Sequence, residues 1–144
     1  EAAFSNVIRP GDRALIFVNG FFGARMATIA RRQGADVMTI DAPWGTAFSL
    51  DQIRSALAQQ SDVAVVGIVH AETSTGVLQP MEGIGDLVHE AGALLVMDCV
   101  TSLGGVPVSI DAWGVDAAYS ASQKCLSWRG RTRGRLPRRI PQRW

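Results

Sequence analysis

Lys124 is the only lysine in a chain of 144 residues; arginine supplies the other thirteen basic side chains. A lone amine among guanidiniums is a candidate for imine chemistry, because arginine stays protonated and cannot act as the nucleophile. Codon bias towards arginine in GC-rich DNA produces the same pattern without any chemistry, so the surroundings must decide. Three apolar runs lead into polar groups. "VAVVGIV" (63–69) is followed by "HAETSTG", "ALLVMD" (93–98) ends at Asp98 and continues "CVTS", and "AAYS" (117–120) is followed by "ASQK". Runs of this kind read as strands covered on both faces. Ligands of open parallel sheets bind outside the carboxyl ends of such strands. Thr73, Asp98 and Lys124 can therefore meet at one sheet rim.

A hydroxyl-rich loop, an acid and an amine at one rim suit pyridoxal 5'-phosphate. Its aldehyde needs a neutral amine, which burial and nearby positive charge can supply by lowering a lysine's pKa. Its pyridine ring withdraws electrons only while the nitrogen keeps a proton, which a neighbouring carboxylate favours. Asp98 ends an apolar strand and is suited to that task. Each residue also has a plainer reading: a strand-end aspartate caps a turn, a loop lysine is solvated, and "HAETSTG" is a turn feeding a helix.

The elements that must position these groups alternate. Residues 13–19 form a strand led in by Pro10-Gly11-Asp12. Residues 22–33 form a helix with Phe22, Met26, Ile29 and Ala30 on one face, stopped by Gly34. A strand over 35–40 follows, then a helix over 50–60 capped by Ser49, with Leu50, Ile53 and Leu57 facing inward. Residues 80–92 give a helix with Pro80 in its first turn and Gly92 at its end. Strands alternating with helices predict an α/β fold, a mostly parallel sheet flanked by helices. "GVPVSIDAWGVD" is structural, with Trp113 packing and Gly104-Gly105 bending the chain. His70 is expected to end its strand and His89 to lie on the exposed side of its helix.

Composition narrows the class. The length suits one core. No apolar run reaches the roughly 20 residues of a membrane-spanning helix, and "EAAFSNVIRPGDR" has no secretory pattern. A cytoplasmic protein is expected, or an organelle-matrix one in a peroxisome or mitochondrion. Cys99 and Cys125 lack metal-ligand spacing and read as two half-buried free thiols rather than a disulfide. No metal site is expected. The net charge of +1 hides a division. Residues 1–127 carry six arginines and Lys124 against thirteen acids, a net −6, whereas "WRGRTRGRLPRRIPQRW" (128–144) carries seven arginines and no acid. The expected domains are thus a body over 1–127 and an arginine-rich tail over 128–144.

With these residues in hand, the body resembles the class V, fold-type I pyridoxal phosphate aminotransferases, in the alanine–glyoxylate, serine–glyoxylate and serine–pyruvate group. The similarity is densest from "HAETSTGVLQP" to "YSASQK". The resemblance implies that 1–127 is part of the large cofactor-binding domain of a transaminase, acting on a small amino acid and a 2-oxo acid, with homodimeric relatives. It implies that Lys124 holds the cofactor as a Schiff base and then shuttles a proton, and that Asp98 partners the pyridine nitrogen. Phe22 and Val100 match the residues on the two ring faces, Thr73 a hydroxyl contacting the ring, and Gln123 a phosphate ligand. A cysteine desulfurase or another class V lyase is the alternative within this chemistry, and it requires a mobile nucleophilic cysteine.

Two departures from the family pattern stand out. Its phosphate-binding loop belongs before Glu1, and similarity stops near Ser127, ahead of a substrate-binding arginine. The body is accordingly expected to be a truncated fragment of low activity, with self-association through exposed strands as a non-catalytic outcome. The tail reads as a frame-shifted product of GC-rich DNA or as an arginine-rich arm for a polyanion such as RNA; the first is the expectation, so no nucleic-acid or membrane partner is assigned.

Overall fold

The computed structural model describes residues 1–127. The arginine-rich tail (128–144) lies outside the described residues. In chain order the elements are α1 (Ala2–Val7), β1 (Arg13–Val18), α2 (Phe21–Arg32), β2 (Asp36–Asp41), α3 (Leu50–Ala58), β3 (Val63–Val69), β4 (Ala71–Glu72), β5 (Val77–Leu78), α4 (Ile84–Glu90), β6 (Leu94–Asp98) and β7 (Ala117–Tyr119). Five strands form one sheet in the order β2-β1-β3-β6-β7, with every pairing parallel. The short strands β4 and β5 pair antiparallel as a separate hairpin.

Strand periodicity divides the core between two faces. Leu15, Phe17, Val66, Ile68, Leu95 and Met97 pack with Ile53 and Leu57 of α3 and Ile84 and Val88 of α4. Ala14, Ile16, Val18, Val65 and Val96 pack on the other face with Phe4 of α1 and Met26, Ala27 and Ala30 of α2. Alternating residues of each strand point to opposite faces, so a sheet covered on both sides is apolar at every position. Gly67, midway along β3, makes room for the second layer. A Cβ there would lie 2.6 Å from both Ile16 Cδ1 and Met26 Sδ.

The helix ends follow from sequence. Ser49 Oγ accepts the Gln52 N–H (3.2 Å) while Gln52 Oε1 accepts the Ser49 N–H (2.8 Å), a reciprocal box that opens α3. Gly34 and Gly92 adopt positive φ just beyond α2 and α4. The pairs Gly34 N–H to Arg31 O with Ala35 N–H to Ala30 O, and Gly92 N–H to His89 O with Ala93 N–H to Val88 O, close both helices in the same way.

Three expectations need correction. The helix expected over 80–92 begins only at Ile84, with Pro80 outside it. The Gln79 side chain is committed to the loop, donating to Pro80 O (2.8 Å) and Phe48 O (2.9 Å) and accepting from Phe48 N–H (2.8 Å). Met81 is then drawn into the core, and Gly83 turns at φ +77° before the helix starts. The thiols are both free but not both half-buried: Cys99 is buried and Cys125 exposed. Leu50, expected inward, is 41% exposed.

Helix α1 went unread in the sequence, although it anchors the sheet through Phe4, which is fully buried. The approach of α4 to the turn before β7 is closer still. A Cβ on Gly85 would clash with the Trp113 carbonyl oxygen and lie 2.8 Å from Gly114 Cα, and one on Gly114 would lie 3.3 Å from Gly85 Cα. Among the described residues no helix is long and apolar enough to cross a membrane. Phe4→Ala should lower stability by about 3–5 kcal/mol, whereas Ser49→Ala should cost about 1 kcal/mol. Urea unfolding compares them; equal losses would mean that α1 contributes no packing.

Candidate active site

Parallel register brings three strand ends to one edge. Val69 pairs with Asp98, and Asp98 with Tyr119. Further links fix that row: the His70 N–H donates to Asp98 O (2.9 Å), and the Cys99 N–H to Tyr119 O (3.0 Å). The chain runs from β1 outward to β2 and then crosses back to β3 on the other side of β1, so this edge also holds the topological switch point, between β1 and β3. The first turn of α2 and the loop after β4 flank it.

A cavity of about 420 Å³ opens there. Phe22, Thr73, Asp98, Val100, Gln123 and Lys124 all line it. Phe22 is half-buried in the first turn of α2, its ring edge-on to Phe21 at 5.3 Å. Val100 is half-buried just beyond Asp98, and its N–H donates to Asp98 Oδ1 (2.9 Å). The Thr73 hydroxyl meets that of Thr101. Gln123 and Lys124 are exposed in the turn after β7, at the rim.

Asp98 is only 7% exposed. Burial pushes its pKa above the ordinary carboxylate value, and the nearby Glu72 charge adds to this; the Val100 N–H and the Tyr119 phenol oppose it. Tyr119 is pushed up by burial and by Asp98, so it stays a neutral phenol. Asp98 has no ion-pair partner among the described residues.

Tyr119, Thr101 and Arg25 also line the cavity and were not singled out from sequence. The neighbouring positions of Asp98 and Tyr119 needed the β6–β7 pairing, which no local pattern encodes. Thr101 lies three residues past Asp98 within "DCVTS", where its hydroxyl was the available signal. The histidines sit elsewhere. His70 follows β3 and is buried, its Nδ1 2.8 Å from Ser102 Oγ and its ring 5.0 Å from Trp113; burial lowers its pKa. His89 is exposed and paired with Asp116 at 2.9 Å. Cys99 donates its S–H to Tyr119 O (3.2 Å), beneath the rim.

The sequence model of the family aminotransferase class-V matches residues 1–132. The chain belongs to the class V aminotransferases. Within this aminotransferase family, the chain is 44% identical over 127 residues to alanine–glyoxylate aminotransferase of Rattus norvegicus, covering 88% of this chain and 30% of that protein. It is 39% identical over 127 residues to (S)-ureidoglycine–glyoxylate transaminase of Bacillus subtilis, covering 88% and 30%. Among solved aminotransferase structures, alanine–glyoxylate aminotransferase from Nostoc superposes with a TM-score of 0.82 at 56% identity, covering 85% of this chain and 32% of that one. The chain thus spans about 30% of the length of the curated relatives it matches.

The raised pKa of Asp98 has a defined sign. Between its unfolded and folded pKa values the folded protein binds more protons than the unfolded chain, so stability falls as pH rises through that window. Asp98→Asn retains an acceptor for Val100 but removes the charge. Without ligand, the variant should be the more stable protein above the window and lose its advantage below it. Calorimetric melting temperatures across pH 3 to 8 (about pH 4 being the unfolded carboxylate) test this; parallel curves would exclude an uncompensated charge at Asp98.

Proposed function

We propose that the cavity binds pyridoxal 5'-phosphate and serves the transfer of an amino group between a small amino acid, alanine or serine, and glyoxylate or pyruvate. The Asp98 carboxylate carries the reading: it is buried, without an ion-pair partner among the described residues, and lines the same cavity as the chain's one lysine. A desolvated charge with so few donors is costly. A protonated pyridine nitrogen is a partner that relieves this cost, so these residues fit the cofactor. The glyoxylate in the names of the rat, Nostoc and Bacillus relatives supports that acceptor, while their donors differ.

When bound, pyridoxal phosphate supplies an aldehyde for an amine to attack and a pyridinium ring that withdraws electrons from the attached carbon. Asp98 would keep the ring nitrogen protonated. Phe22 and Val100 offer apolar surfaces to a flat ring, the Thr73 hydroxyl offers a hydrogen bond at its edge, and the Gln123 amide offers donors to a phosphate. Lys124, exposed at the rim and lining the cavity, would be the amine that holds the aldehyde. As a free amine its Nζ would serve as the base for the proton on the substrate's α-carbon.

Incubation with pyridoxal phosphate, borohydride reduction and peptide mass analysis should mark Lys124, with no mark at that position in Lys124→Ala. Asp98→Ala should weaken cofactor binding about ten- to a hundredfold, the loss of one charge-assisted contact. An unmarked Lys124 peptide would defeat the reading. Alanine with glyoxylate is the first substrate pair to assay.

A further inference from the structure

The start of α2 holds a second buried carboxylate that the chemistry above does not use. Glu72, the last residue of β4, is 1% exposed. Its Oε2 accepts the N–H groups of Phe22 (3.0 Å) and Gly23 (3.1 Å). Its Oε1 accepts the Ser74 N–H (3.1 Å) and the Ser74 hydroxyl (2.6 Å), and Ser74 Oγ in turn accepts the Phe21 N–H (2.9 Å). The three N–H groups that open α2 are therefore satisfied by side chains some fifty residues away in sequence.

Helix starts are normally capped by the residue just before them. Here that residue is Gly20, which has no side chain. Its backbone is extended, so conformation does not demand glycine; proximity does. A Cβ at this position would clash with Glu72 Cγ and lie 2.5 Å from Glu72 Cδ and 2.7 Å from Ser74 Oγ. The Glu72 main chain is pinned as well, its carbonyl accepting the N–H of Thr75 (3.2 Å) and Gly76 (2.8 Å). A negative charge at this end also complements the helix dipole.

We propose that Glu72, with Ser74, is a positioning residue that seats the first turn of α2 and thereby fixes the Phe22 ring on the cavity wall. Glu72 does not itself line the cavity. Its influence on a bound ring passes through two backbone N–H groups to an aromatic side chain. The cofactor half of this inference rests on the pyridoxal phosphate reading; the helix-seating half does not.

Two measurements on the full chain test it, each made well below the unfolding midpoint of every variant. Glu72→Ala should speed amide exchange at residues 21–23 at least about tenfold and weaken pyridoxal phosphate binding about tenfold, corresponding to one charge-assisted hydrogen bond. Gly20→Ala should do the same by displacing the carboxylate. Glu72→Gln keeps an acceptor for Phe22 and Gly23 and should recover most of the affinity. Ser49→Ala removes a cap from a helix away from the cavity and should leave both readouts at the parent level. Unchanged exchange at 21–23 in Glu72→Ala, or an affinity loss no greater than in Ser49→Ala, would overturn the proposal. If the parent protein takes up no pyridoxal phosphate, the cofactor reading fails. Faster exchange in Glu72→Ala then still supports the helix seat, and unchanged exchange still overturns it.

Discussion

Register in a parallel sheet decides which residues end their strands side by side, and here it puts Val69, Asp98 and Tyr119 in one row. The other features of the rim depend on that row. Loops leaving β3, β6 and β7 have nowhere to go but the same edge, so Thr73, Val100 and Lys124 converge from separate parts of the sequence. The register is itself held by packing. A slip of one residue would turn the apolar set of each strand towards the wrong helix layer.

The edge contains two buried acids with opposite surroundings. Glu72 receives four hydrogen bonds at a helix start, so both of its carboxylate oxygens are already engaged. Asp98 receives one backbone N–H and faces a phenol, and burial dominates its titration. The charge on Glu72 also raises the Asp98 pKa. One acid is therefore saturated and structural, while the other retains capacity for a cationic partner. This asymmetry gives the cavity its chemical direction.

Most of the architecture was legible because it depends on local patterns. Periodic apolar runs located β1, β3 and β6, and Gly34, Gly92 and Ser49 marked the helix boundaries where the structure has them. The six candidate site residues were read through strand ends and family resemblance, and all of them line one cavity. What escaped was long-range. Tyr119 acquires its place only from the β6–β7 pairing, and Glu72 from a loop folding back onto α2. The start of α4 was misread because a proline ahead of an apolar stripe resembles a first turn, whereas the Gln79 amide holds that segment as loop. Helix α1 is six residues long and buries Phe4 as its one fully enclosed side chain, too brief a pattern for periodicity to register.

Gly85 and Gly114 touch almost backbone to backbone, one in α4 and the other in the turn that feeds β7. Each is held to glycine on its own account, Gly85 by the Trp113 carbonyl oxygen and Gly114 by its positive φ. Both already carry the smallest residue and the atoms in the way at Gly85 are main chain, so no substitution at one makes room for a side chain at the other. The seam between α4 and the segment entering β7 is thus closed to growth from either side.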